Sequence, residues 1–209
     1  MRIVNEASII GIVGSYRIGG VIDSVITTVL DSARTSGARV EKVYLKHLDI
    51  GFCTNCRGCM QDPGATRRPC TVYNDDMEPL LARIDNSDAV VIGAPVNAGS
   101  ANALTQRFVE RCAGYYYWPW GARAAPRLRT EEKHHKAVLV SSSGSPAFMN
   151  TAWFGVGAIH TLKTFADVIG ADVEDIIKVG MITQLEIELS DRTTRSAQRL
   201  GRRLAALRH

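Results

Sequence analysis

Two groups of residues in this 209-residue chain have the types and spacing for chemistry. The first is the loop Gly14-Ser15-Tyr16-Arg17-Ile18-Gly19-Gly20, which joins an apolar run to an amphipathic stretch. Free N–H groups at a helix start, with the helix dipole behind them, make a site for a phosphate monoester. Ser15 adds a hydroxyl, Arg17 a fixed cation, and the glycines let the backbone come close. Two familiar phosphate patterns fail. A Walker loop needs Lys and then Ser or Thr after its closing glycine, and Gly20 and Val21 follow Gly19 instead. The pattern G-x-G-x-x-G fails because Gly11 and Gly14 are separated by two residues. A plain glycine-rich turn is the competing reading.

The second group is Cys53, Cys56, Cys59 and Cys70, four of the five cysteines within eighteen residues. The first residues carry no long apolar stretch or small-residue cleavage site, so a cytoplasmic protein is expected, where a disulfide scaffold is out of place. C-x-x-C-x-x-C resembles bacterial ferredoxin spacing, in which thiolates ligate iron, and Cys70 is the natural fourth ligand of a 4Fe–4S cluster. The ten residues before Cys70 close a loop at small entropic cost. Zinc would accept four thiolates too, and packing without a metal is the third reading. Cys112, at a helix end, reads as structural, and His134 and His135 as a solvated surface pair.

Positioning these groups requires an alternation of strands and helices around a parallel sheet. Residues 7–13 are almost continuously apolar, as a strand covered on both faces should be. Ile22, Val25, Ile26, Val29 and Ala33 then recur at helical spacing. Further strands are expected over 40–45, 88–93, 136–141 and 173–179, and further helices over 75–84, 102–111, 150–168 and 189–207. Residues 113–133 read as one long irregular stretch, holding Tyr115-Tyr116-Tyr117-Trp118-Pro119-Trp120. Such a stretch is a packed loop, a subunit contact or a lid. No linker divides the chain, so residues 1–209 are expected to form a single domain. Loops after the first, third and fourth strands would converge on one rim, where open α/β sheets bind ligands.

With these segments in view, the chain resembles the NAD(P)H-dependent FMN reductases of the flavodoxin-like fold, and among them the iron–sulfur flavoproteins. The likeness lies in Gly14 to Gly20, in Cys53 to Met77, and in Ser87 to Ser100 with Gln106 to Arg111. It implies an α/β three-layer sandwich with a five-stranded parallel sheet in the order 2-1-3-4-5 and helices on both faces. It implies FMN, with Ser15, Arg17, Gly19, Gly20 and the amides of Val21 and Ile22 on the phosphate. Pro95, Val96, Asn97 and Ala98 would edge the isoalloxazine ring, and Ser142, Ser143 and Gly144 would close the other side. The sequence departs from the family where Asn and then Ser or Thr usually follow the two glycines, since Val21 and Ile22 stand there. It departs again at Asn97, where an aromatic is usual.

The expected function is an oxidoreductase passing electrons from NAD(P)H to a flavin, quinone or similar acceptor. An iron–sulfur electron carrier between protein partners and a cofactor-free binding protein are the alternatives. No side chain has to act as acid or base. A homodimer or homotetramer is implied by the resemblance alone. Hydrophobic content of 45% and charged content of 22% suit a soluble globular chain, and no apolar run reaches the roughly 20 residues of a membrane span. The net charge of +4 gathers in residues 123–136 and 192–203. Neither stretch forms a nucleic-acid module, so no nucleic-acid partner is expected.

Overall fold

The computed structural model describes residues 6–146, 156–184 and 188–207. Successive side chains of a strand point to opposite faces, and in β1 (Ser8–Val13) both faces are apolar. Ile10 and Ile12 pack on one side, Ile9 and Val13 on the other. Such a strand needs cover on both sides. α1 (Val21–Thr35) and α5 (Asp191–Ala205) cover one face. α2 (Met77–Asp85), α3 (Ala103–Glu110) and α4 (Val156–Val168) cover the other.

The sheet is completed by β2 (Arg39–Tyr44), β3 (Ala89–Asn97), β7 (His135–Ser142) and β8 (Ala171–Val179). Its order is β2-β1-β3-β7-β8, every neighbouring pair parallel. This is the 2-1-3-4-5 order expected of a flavodoxin-like sheet, counting the long strands alone. The short β4 (Ser100–Ala101) folds back on the end of β3. Because the strands run the same way, the loops that leave β1, β2, β3 and β7 share one rim.

The expected elements sit within a few residues of the observed ones. Asp75 accepts the Met77 N–H at 3.1 Å at the entry to α2, whose N-cap Asp76 makes no side-chain capping bond. Ser190 accepts the Thr193 N–H at 3.3 Å and starts α5. Residues 150–155 of the helix expected over 150–168 lie outside the described residues. The stretch read as irregular has structure. A 3₁₀ turn (Arg111–Tyr115) leads into β5 (Tyr116–Tyr117), which pairs antiparallel with β6 (Arg127–Leu128). Strands of two residues carry no periodic signal, but their backbone groups still need partners. Among the described residues no helix is long and apolar enough to cross a membrane.

The α1–α5 layer is close-packed at Gly201. A Cβ there would overlap the Val29 carbonyl and lie 2.8 Å from Ser32 Cβ. Ser32 Oγ also donates to the Gln198 carbonyl at 2.7 Å, tying the helices together. Gly201→Ala is therefore expected to lower stability by about 1–3 kcal/mol through overpacking. Urea denaturation followed by circular dichroism checks this, and an unchanged midpoint would show that the helices separate freely.

Candidate functional site

The loop after β1 is held by its first residue. Gly14 N–H donates to the Gly93 carbonyl at 2.8 Å, joining the ends of β1 and β3. The Gly14 carbonyl accepts from Asn102 Nδ2 at 2.8 Å and lies 3.1 Å from the Thr105 hydroxyl. Asn102 also caps α3, its Oδ1 accepting the Thr105 N–H at 3.1 Å. One buried amide side chain thus starts α3 and anchors the first loop. A Cβ on Gly14 would overlap Thr105 Oγ1 and sit 2.7 Å from the Gly93 carbonyl, so glycine is required there.

The far end of the loop rests on a carboxylate. Asp23, buried in the first turn of α1, accepts the Gly19 N–H at 2.7 Å. Lys42 Nζ, at 3.0 Å, and the Tyr44 hydroxyl, at 3.1 Å, reach its Oδ1 from β2. Gly19 has φ 72°, the left-handed region that glycine enters at little cost. Burial alone would raise the Asp23 pKa. The Gly19 N–H, Lys42 and Tyr44 outweigh it and hold the carboxyl below its ordinary value. Lys46 Nζ donates to the Tyr16 carbonyl at 3.2 Å, a third tie from the β2 end.

Above this loop lies a cleft of about 300 Å³. Eleven of the thirteen residues expected at the cofactor line it: Ser15, Arg17, Gly20, Val21, Ile22, Pro95, Val96, Asn97, Ser142, Ser143 and Gly144. Gly19 and Ala98 do not. Gly19 turns the loop beneath the cleft, and Ala98 (φ 47°) with Gly99 (φ 79°) forms the tip of the β3–β4 hairpin. Tyr16 and Ile182 are additional lining residues. Tyr16 sits inside the first loop and was open to detection. Ile182 follows β8, where its N–H donates to the Ser143 carbonyl at 3.1 Å, and no motif marks it.

A second cavity, with no lining residue in common, is walled by Cys53, Cys56, Cys59 and Cys70. Asn55 (φ 52°) and Arg57 (φ 56°) turn the chain sharply between the first three. The fourth is placed by α2, because Glu78 Oε1 accepts the Cys70 N–H at 3.1 Å. Burial pushes the Cys59 thiol up, and the neighbouring Cys70, Cys53 and Cys56 push it further. The Gly58 N–H holds Cys56 below its usual value. Among the described residues no three His, Cys, Asp or Glu side chains gather as a single metal ion requires. Four thiols around a shared cavity are the donor set that an iron–sulfur cluster, with a thiolate at each corner, would take.

The segment 111–129 covers this loop. The Arg57 guanidinium lies 3.3 Å from the ring centre of Trp118 and 4.3 Å from that of Trp120. Arg129 donates to the carbonyls of Cys59, Asp62, Gly64 and Gly114 at 2.9–3.2 Å. Cys112 is buried, as expected of a structural thiol, and burial pushes its pKa far up. His134 is exposed beside Glu132. His135 corrects the surface reading: it is buried, and its Nδ1–H donates to the Ser87 carbonyl at 2.6 Å. As the first residue of β7 it follows the strand's alternation inward.

Residues 7–151 match the model of a family described as NADPH-dependent FMN reductase. An iron–sulfur flavoprotein of Archaeoglobus fulgidus is 32% identical over 110 residues, 53% of this chain and 47% of that protein. The chain spans about half the length of the curated relatives it matches. An FMN-dependent NADH-azoreductase of Bacillus anthracis, solved in complex with FMN, superposes with a TM-score of 0.66 at 12% identity. The alignment covers 95% of this chain and 98% of that one. An NAD(P)H:quinone oxidoreductase of Methanothermobacter marburgensis gives 0.61 at 17% identity, covering 98% and 99%. These likenesses carry the fold.

Two outcomes follow from the loop's anchors. Asn102→Ala removes a bond from the buried Gly14 carbonyl and the cap of α3, and should cost about 1–3 kcal/mol in urea denaturation. Asp23 has a folded pKa below its unfolded one, so its stabilisation is present above the unfolded value. That stabilisation is lost as pH falls through the folded value. Asp23→Asn should therefore flatten the acid side of the stability–pH curve below about pH 4, and an unchanged curve would remove the carboxylate from this role.

Proposed function

The chain belongs to the NADPH-dependent FMN reductase family, and on that premise we propose that it is an FMN-dependent oxidoreductase. It takes electrons from NAD(P)H and passes them to a flavin, quinone or similar acceptor. The observation that carries this reading is the convergence of three rim loops, after β1, β3 and β7, on one cleft. The loop at the start of α1 suits a phosphate monoester, through Ser15, Arg17 and the N–H groups leading into the helix. Pro95, Val96 and Asn97 offer an edge for the flat ring, with Ala98 at the hairpin tip behind them. Ser142, Ser143 and Gly144 offer the opposite wall.

When bound, FMN supplies the redox chemistry, accepting two electrons from a nicotinamide and releasing them singly or in pairs. The protein's part is to hold the phosphate, orient the ring and exclude water. None of this asks a side chain to act as acid or base. Val21 and Ile22 are 8% and 2% exposed and pack into the core, so they offer the phosphate only backbone N–H groups. Anion recognition by side chains then falls on Ser15 and Arg17.

The four thiols around one cavity favour a second redox group. Cys53, Cys56, Cys59 and Cys70 would hold a 4Fe–4S cluster, which suits delivery of single electrons to or from a protein partner. The two readings combine if the cluster and the flavin exchange electrons within one molecule. A homodimer or homotetramer, as the resemblance implies, completes the proposal.

Anaerobic purification followed by an absorption spectrum and iron and sulfide assays tests both groups. A protein that neither carries nor takes up FMN overturns the flavin reading, and one without iron and sulfide overturns the cluster. Arg17→Ala removes a charge-assisted phosphate contact of about 1.5–3 kcal/mol. It should weaken FMN binding about ten- to a hundredfold, read by quenching of flavin fluorescence, and leave the far-ultraviolet circular dichroism unchanged.

A further inference from the structure

Three arginines line the cysteine cavity among the described residues: Arg57, Arg68 and Arg111. Arg68 is exposed and Arg57 half-buried, whereas the Arg111 side chain is 2% exposed. It pairs with Asp75, whose side chain is 7% exposed, through two bonds of 2.6 Å and 3.2 Å. Arg111 Nη1 also donates to the Gly51 carbonyl at 3.0 Å, and its guanidinium lies 4.7 Å from the ring centre of Tyr73. Asp75 in turn accepts the N–H groups of Gly51 and Met77. Arg111 is part of the cavity wall and Asp75 is not. The Arg111 guanidinium lies close enough to Cys70 and Cys53 for their charges to act on it, so the pair turns its positive end to the cavity and keeps its negative end behind.

We propose that this oriented pair sets the reduction potential of the iron–sulfur group held by the four cysteines, Arg111 raising it and Asp75 lowering it. The inference rests on the cluster reading above. One-electron reduction adds a negative charge to a group that four thiolates already make negative. A cation in the wall stabilises the reduced form more than the oxidised one, and cluster potentials respond to charge, hydrogen bonds and exposure. Burial matters because solvent and salt screen an exposed charge and spare a buried one. Arginine suits the role because it does not lose its proton. Glu78, which also lines the cavity, is matched by an ion pair to Arg67.

A purely structural brace makes a different prediction. The pair holds Gly51, two residues before Cys53, and loosening that brace from either side would disturb the loop in the same sense. Charge acts with opposite signs at the two residues. Reductive titration of the anaerobically purified holoprotein with mediator dyes, followed by the cluster's absorption, separates these cases. Arg111→Gln should move the midpoint to lower potential, Asp75→Asn should move it higher, and Arg111→Lys should stay close to the starting protein. The flavin midpoint should hold still in all three, since its cleft shares no lining residue with the cysteine cavity. Shifts of the same sign in Arg111→Gln and Asp75→Asn, or none, overturn the proposal. If Arg111→Gln fails to fold or to keep its iron, Asp75→Asn decides alone, and the absence of an upward shift is fatal. A starting protein with flavin but no iron and sulfide would sink the cluster reading and this inference with it, leaving the flavin reading intact.

Discussion

Gly14, through its N–H and its carbonyl, is the point on which the flavin-side geometry depends. Its N–H is bound by the Gly93 carbonyl and its own carbonyl by Asn102, with Thr105 beside it. The end of β1 is thereby fixed to the end of β3 and to the start of α3 through the two peptide groups that flank Gly14. A buried backbone group without a partner is costly, so each of these bonds constrains the others. The absence of a side chain at Gly14 allows the approach, and the amide of Asn102 can serve two masters because it carries both a donor and an acceptor. The first loop and the β3–β4 hairpin face each other across the cleft at a separation that this junction sets.

The cysteine loop is stabilised by different means. It is long and largely polar, and among its residues from Phe52 to Thr71 Met60 is the buried apolar side chain, so apolar burial contributes little to it. Instead, the segment 111–129 supplies cations where the loop presents carbonyls. Arg129 reaches three of them, at Cys59, Asp62 and Gly64, and Arg57 reciprocates by stacking against Trp118 and Trp120. Backbone bonds complete the join, from Trp118 to Met60 and from Arg68 to Gly114. Neither piece has a regular structure that would persist alone. Both are held by the same set of contacts, and Arg57, Arg68, Arg111 and Tyr73 share the cavity wall with the four thiols.

Much of this was legible in the sequence, and the division follows physical lines. The strands of the sheet are readable because burial on both faces demands continuous apolar runs, as in residues 7–13 and 88–93. The loops at Gly14, Pro95 and Ser142 are readable because parallel strands send their ends to one rim. Ile182 was not, since it enters the cleft by backbone pairing between the β8 extension and Ser143, which leaves no trace in residue type. The double duty of Asn102 was hidden too. At helical spacing it looks like an ordinary cap, and its second bond joins residues 88 apart. His135 misled because a pair of histidines before a strand looks solvated, and only the register of β7 decides which of the two turns inward.

Asp23 and the residues at 21 and 22 explain each other. Val21 and Ile22 occupy positions where polar side chains would be expected to face an anion, yet both are consumed by the core between α1 and the sheet. Ile22 is so close to Gly93 that a Cβ there would lie 2.8 Å from its Cγ2. The loop loses two side-chain donors and gains a firmer seat. Asp23, Lys42 and Tyr44 reinforce that seat from below, with the carboxylate holding Gly19 and β2 holding the carboxylate. The negative charge this introduces beneath an anion site is balanced by Lys42 at 3.0 Å, so the pair adds rigidity with little net repulsion. A preorganised loop spends less on ordering when its ligand arrives. Rigidity of the backbone therefore compensates in part for the missing side chains, and on the proposed reading the phosphate is left to Ser15, Arg17 and the helix N–H groups.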